Sequence, residues 1–103
     1  MHRAMVEFSS RINNRIGMHL RAAGEFVKVA SRFKSEITVF NGGRQANGKS
    51  ILGLAGLAIP ADVLFTIQID GKDEKDARKA IEELIASNFN EDSSVDFKDR
   101  SEK

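Results

Sequence analysis

Apolar and polar positions along this chain fall into short periodic stretches separated by turn residues. Residues 4–9 alternate, with Ala4, Val6 and Phe8 on one side and Glu7 and Ser9 among those on the other, which predicts a half-buried strand. The period then changes: Ala22, Ala23, Phe26, Val27, Ala30 and Phe33 recur at three-and-four spacing, one apolar face of a helix that should end near residues 32–35. Residues 36–40 are a short run rich in β-branched side chains. Asn41-Gly42-Gly43 follows, a strong hairpin signal, and a second hairpin strand is expected over about 44–46. Ser50 stands where an N-cap is wanted, before the apolar cluster Ile51, Leu52, Leu54, Ala55 and Leu57. That helix must be short, because Gly53 and Gly56 weaken it and Pro60 forbids its continuation. Leu54 and Leu57 are expected to be its more buried positions. The clearest strand is 63–70, with Val63, Phe65, Ile67 and Ile69 on one face. Asp73 is placed to cap a last helix whose buried stripe is Ala77, Ala80, Ile81, Leu84 and Ile85.

The element order is therefore β-α-β-β-α-β-α, an α+β domain over residues 1–88. The simplest arrangement is a four-stranded antiparallel sheet with one face against helices. Residues 89–103 are mostly charged and polar and are expected to form a flexible C-terminal tail.

At 103 residues, with 41% hydrophobic and 30% charged positions, the chain suits one soluble globular domain. No apolar run approaches the roughly 20 residues needed to cross a bilayer, and the N-terminus lacks the apolar segment of a signal peptide, so no membrane insertion is expected. Cysteine is absent, which excludes disulfides and thiol catalysis and suits a cytoplasmic location. With only His2 and His19, a histidine-rich metal site is not expected. The net charge of +1 hides an asymmetry: residues 1–50 carry nine Lys/Arg against three Asp/Glu, and residues 51–103 seven against twelve. The basic residues are not clustered and there is no Trp or Tyr to interleave with them. Docking onto acidic protein surfaces explains the bias at least as well as nucleic-acid binding, and no nucleic-acid partner is expected.

The chemistry concentrates at the start of the first helix. Gly17 suits a tight turn, and His19 falls at or near the N-cap, where the first N–H groups lack intrahelical partners. Those donors and the positive end of the helix dipole favour an anion, with Arg21 available as a charged fork. The competing reading is a histidine that merely caps a helix and an arginine that is merely solvated.

Gly17-Met18-His19-Leu20-Arg21-Ala22-Ala23 resembles the Gly-Leu-His-Ala-Arg-Pro-Ala signature of HPr, the histidine phosphocarrier family of the bacterial sugar phosphotransferase system. Asn47-Gly48-Lys49-Ser50-Ile51-Leu52-Gly53-Leu54 is similar to that family's regulatory-serine region, in the right order and at the right distance. The likeness extends over roughly residues 3–88. It implies an open-faced β-sandwich with strand order 1-4-2-3 and three helices on one face. It also implies a phosphoryl carrier rather than a stand-alone enzyme, with His19 as acceptor through Nδ1 and Arg21 neutralising phosphoryl oxygens. The group would come from enzyme I, charged by phosphoenolpyruvate, and pass to an EIIA-type acceptor, without a metal or bound cofactor. Ser50 would be a regulatory phosphorylation site for an HPr kinase/phosphorylase, and Met18, Leu20, Lys49, Ile51, Leu52 and Ala55 a partner-docking surface on a monomer. Several positions depart from the pattern. Ala22 stands where the family has proline, Leu20 replaces a small residue, Ala55 replaces the usual docking methionine, and the tail is long. These departures point to a specialised member. The alternative is a regulatory protein of the same shape (Crh-like or nitrogen-type) that docks onto a transcription factor or enzyme with little transport flux.

Overall fold

The computed structural model describes residues 5–90. Seven elements follow one another: β1 (Val6–Ser10), α1 (Leu20–Ala30), β2 (Glu36–Asn41), β3 (Arg44–Asn47), α2 (Ile51–Gly56), β4 (Phe65–Asp70) and α3 (Glu74–Ala86). The strands form one antiparallel sheet in the order β1-β4-β2-β3. The period-two pattern explains which face is covered. Phe8 sits opposite Ile67, and Val39 and Ile37 sit opposite Ile67 and Ile69, so these apolar side chains share one face and are buried with Phe26, Leu54 and Ile81 of the helices. The opposite face pairs Glu7 with Gln68 and Ser9 with Thr66 through side-chain hydrogen bonds of 2.8 and 3.2 Å. Leu54 and Leu57 are buried, as expected.

Several boundaries differ from the sequence reading, β2 and β3 each by one residue, to Asn41 and Asn47. β1 runs one residue longer, to Ser10, and position 4 lies outside the described residues. β4 begins at Phe65 rather than Val63. Asp62 takes a left-handed φ of 63° and gives its N–H to Ile12 O, so the chain turns there and Val63 and Leu64 remain exposed ahead of the paired segment.

The end of α1 and the cap of α3 are linked through one carboxylate. α1 stops at Ala30 and tightens into i→i+3 bonds from Arg32 to Val29 and from Phe33 to Ala30. The next two N–H groups, of Lys34 and Ser35, are taken at 2.8 and 3.0 Å by the carboxylate of Asp73, which also accepts the Ser35 hydroxyl. Asp73 therefore makes no capping bond to its own helix. Glu74 serves that turn instead, its buried carboxylate accepting Gly71 N–H at 3.0 Å.

The Ser35 hydroxyl first, and then the Lys34 N–H, hold the Asp73 carboxyl below the usual carboxylate range. A depressed folded-state pKa contributes stability that is present above the unfolded value and disappears as pH falls through the folded one. Wild type should therefore lose stability below about pH 4 more steeply than Asp73→Asn. Thermal melts of the two proteins should differ most near neutrality and converge in acid.

A turn-and-cap site at the start of helix α1

The loop before α1 is organised by a residue to which the sequence reading gives no role. Asn14 is buried, and its side-chain oxygen accepts the N–H groups of Ile16 and Gly17, while its amide donates to Gly17 O at 3.0 Å. An asparagine whose side chain binds the backbone two and three residues on is a recognisable turn device, so the signal was present in Asn14-Arg15-Ile16-Gly17. Gly17 follows at φ 93°. A Cβ there would collide with Ile59 O and lie 2.9 Å from Ala61 N, so only glycine permits this approach of two backbone segments. Met18 N–H then bonds Ile59 O at 2.9 Å, and His19 N–H bonds Gly17 O at 2.9 Å. The turn is thus anchored on one side by Asn14 and on the other by the segment that follows α2.

His19 is the N-cap of α1, in extended backbone conformation, with its carbonyl accepting Ala23 N–H and its Nδ1 accepting Ala22 N–H at 3.3 Å. His19 is half-buried and Arg21 is exposed, the second residue of a helix that carries no acidic residue in its first turn. A nitrogen lone pair is held over the positive end of an 11-residue helix, which suits it to meet an anionic electrophile.

The other predicted positions divide between two places. Lys49 Nζ donates to Phe33 O at 2.7 Å, just past the end of α1, whereas Met18 at the start of α1 bonds Ile59, just past the end of α2. The two helices pack together and therefore run antiparallel. His19 and Ser50, each at the N-terminus of its helix, lie towards opposite ends of the pair. Ser50 is half-buried and caps α2, its Oγ accepting Gly53 N–H at 3.0 Å. Along the pair, Leu20 is 60% exposed, Ile51 40% and Leu52 80%, and Ala55 is half-buried. Ile16, not singled out in the sequence, is 70% exposed in the turn before His19.

Met18 is a correction. It was expected on the docking surface, but it is only 3% exposed. Its N–H is fixed to Ile59 O, and its side chain joins the core cluster. Lys49 is tied down as well, its ammonium holding the Phe33 carbonyl left open just past the end of α1.

Asn14→Ala should be costly for its size, since it takes the acceptor from the N–H groups of Ile16 and Gly17 and one of two donors from Gly17 O. A loss of about 2 kcal/mol or more is expected, read by urea unfolding, together with displaced His19 ring resonances. Asn14→Asp keeps the acceptor and should lose less.

Among the described residues there is no cluster of three His, Cys, Asp or Glu side chains that could hold a metal ion, and no helix is long and apolar enough to cross a membrane.

Comparison with known proteins places this geometry in a family. The family model described as "PTS HPr component phosphorylation site" matches residues 6–87. The phosphocarrier protein HPr of Xylella fastidiosa is 39% identical over 88 residues, covering 85% of this chain and 99% of that protein. The HPr-like protein Crh of Halalkalibacterium halodurans is 39% identical over 77 residues, covering 75% of this chain and 92% of its own. Among solved structures, HPr from Thermoanaerobacter tengcongensis superposes with a TM-score of 0.79 at 37% identity, covering 84% of this chain and 98% of that one. With the sheet order, the three helices and the His-capped helix already in place, these matches establish that the chain belongs to the HPr family of phosphocarrier proteins of the phosphotransferase system.

Proposed function

We propose that this chain carries a phosphoryl group on His19 Nδ1, taking it from phospho-enzyme I and giving it to an EIIA-type acceptor in the cytoplasm. The observation that carries the reading is the position of Nδ1: it is an unprotonated acceptor in the capping bond, aimed at the first-turn N–H groups of α1. In the transfer, the Nδ1 lone pair forms the new N–P bond as the bond from phosphorus to the donor breaks, its electron pair staying with the donor. No proton has to leave Nδ1, and the ring's proton remains on Nε2. Arg21 and the N–H groups that follow His19 receive the phosphoryl oxygens. Such catalysis is positioning and electrostatics, with little covalent work left to the protein. A half-exposed imidazole also suits a carrier, which must surrender its cargo.

Leu20, Ile51 and Leu52, with Ala55 beside them, form the apolar surface for enzyme I and the acceptor. Phosphorylation of Ser50 by an HPr kinase/phosphorylase would place a dianion at the α2 end of that surface, away from His19, and would act by impairing docking rather than by direct repulsion at the imidazole. A second reading, favoured by the 80% exposure of Leu52 and the similarity to a Crh protein, is regulation by docking alone.

The deciding experiment incubates the protein with its cognate enzyme I and phosphoenolpyruvate and measures intact mass at alkaline pH. One added phosphoryl group, lost on brief acid treatment and located at His19, is the expected result. An unlabelled protein would leave only the docking reading.

A further inference from the structure

We infer that the backbone N–H of Ala22 is a working part of the His19 site, serving two acceptors in turn. In the free protein it holds the Nδ1 lone pair; once phosphorus is bonded to Nδ1, it passes to a phosphoryl oxygen. This rests on the reading of His19 as the phosphoryl acceptor, and it concerns a position where this chain differs from its family's signature, which has proline and therefore no N–H.

Three observations carry it. Ala22 N–H donates to His19 Nδ1 at 3.3 Å, the same nitrogen that must make the N–P bond. Ala22 is fully buried, so when the lone pair is spent the N–H cannot turn to water for a replacement. Ala22 is also the third residue of the helical turn capped by His19, where the N–H has no intrahelical acceptor. The nearest acceptors created by the reaction are the oxygens on the phosphorus that has taken the Nδ1 direction. The imidazole must first turn its one lone pair off this N–H to reach the phosphorus, and a phosphoryl oxygen then takes the place that the nitrogen has left.

The exchange has a direction. A bond from N–H to a neutral imidazole nitrogen gives way to one with an anionic oxygen, and charge-assisted bonds are about twice as strong as neutral ones. The phosphorylated form therefore gains more from this donor than the free form does. Ala22 is a positioning residue in the free state, fixing which ring nitrogen carries the lone pair, and it adds a donor to the phosphoryl cradle in the loaded state. A chain with proline at this position has neither contribution.

The test uses nuclear magnetic resonance on the full chain before and after loading by enzyme I and phosphoenolpyruvate. A scalar coupling between the Ala22 amide nitrogen and His19 Nδ1 is expected in the free protein and lost on loading, while the Ala22 amide proton moves downfield. In parallel, the phosphoryl-transfer equilibrium with enzyme I is measured for Ala22→Pro, which lacks the donor, and Ala22→Gly, which keeps it. Ala22→Pro should shift the equilibrium towards phospho-enzyme I by about fivefold or more, and Ala22→Gly should stay near wild type. An absent coupling, an Ala22 amide unmoved by loading, or equal equilibria for the two variants would overturn the inference. If Ala22→Pro does not fold, the coupling and the amide shift decide. Wild type that takes no phosphoryl group at all would instead remove the reading of His19 as acceptor, and this inference with it, whatever the coupling shows.

Discussion

Replacing His19 with alanine is expected to abolish phosphoryl uptake from enzyme I while leaving a folded protein. The imidazole supplies the nitrogen of the new bond, and no other histidine lies among the described residues. Its capping bond to Ala22 N–H is long, at 3.3 Å. Losing a helix cap costs about 1 kcal/mol, which a domain of this size can absorb. His19→Asn separates the two contributions. Asparagine is among the best N-caps, so this variant should melt close to wild type and still take no phosphoryl group. The pair also discriminates the carrier from the docking-only reading, because neither substitution removes Leu20, Ile51 or Leu52 from the apolar surface. A carrier loses its activity in both variants. A docking regulator keeps its partner in both, as measured by titration calorimetry.

Much of this site is legible in the amino-acid sequence, for a reason specific to it. The cap, the glycine turn and the apolar stripe of α1 are all local, and local geometry is what residue spacing encodes. The strand order followed from the resemblance, since alternation in 6–9 and 65–70 says only that each segment has a buried face. Long-range partners could not be read. Asp73 looks like an N-cap in sequence because it precedes a helix; that its carboxylate instead serves Lys34 and Ser35, nearly forty positions away, depends on where β2 lies. Met18 belongs with its motif neighbours in sequence, although the carbonyl that fixes it is that of Ile59. Neighbours in a motif need not share a face: His19 is half-exposed, and Met18 beside it is core. Asn14 is a different case. Its turn is local and recognisable, but the glycine and histidine that follow it carry the stronger signal.

Local spacing fails more sharply at the other end of the fold, where the polar composition after residue 88 suggests that the packed domain stops. Phe89 is fully buried. It arrives there through a turn in which Asn88, Phe89 and Asn90 all have φ near 60°, a conformation that asparagine tolerates and phenylalanine does not favour. The turn closes α3 with paired bonds, Phe89 N–H to Leu84 O at 2.8 Å and Asn88 N–H to Ile85 O at 2.9 Å, and Ser87 Oγ accepts Asn90 N–H. This is the arrangement in which a left-handed residue ends a helix and the next one folds an apolar side chain back over the last turn. A single apolar residue among polar ones adds nothing to a periodicity, so the pattern that located α3 could not extend to it.

Phe89→Ala should therefore be among the most destabilising substitutions in the chain. It removes a fully buried ring while leaving alanine to take up the same left-handed backbone without the burial that offsets its cost. A loss of about 3–5 kcal/mol is expected, a large part of the total stability of such a domain, with a fall in melting temperature of more than about 10 °C. Asn88→Gly provides the contrast one residue earlier. Glycine adopts the left-handed conformation more freely, and the substitution removes an amide oxygen that is buried without a hydrogen-bond partner, so its melting temperature should stay close to wild type or rise. Thermal melts of the two variants side by side would show whether residue 89 belongs to the core: a small effect of Phe89→Ala would return the end of the packed domain to residue 88.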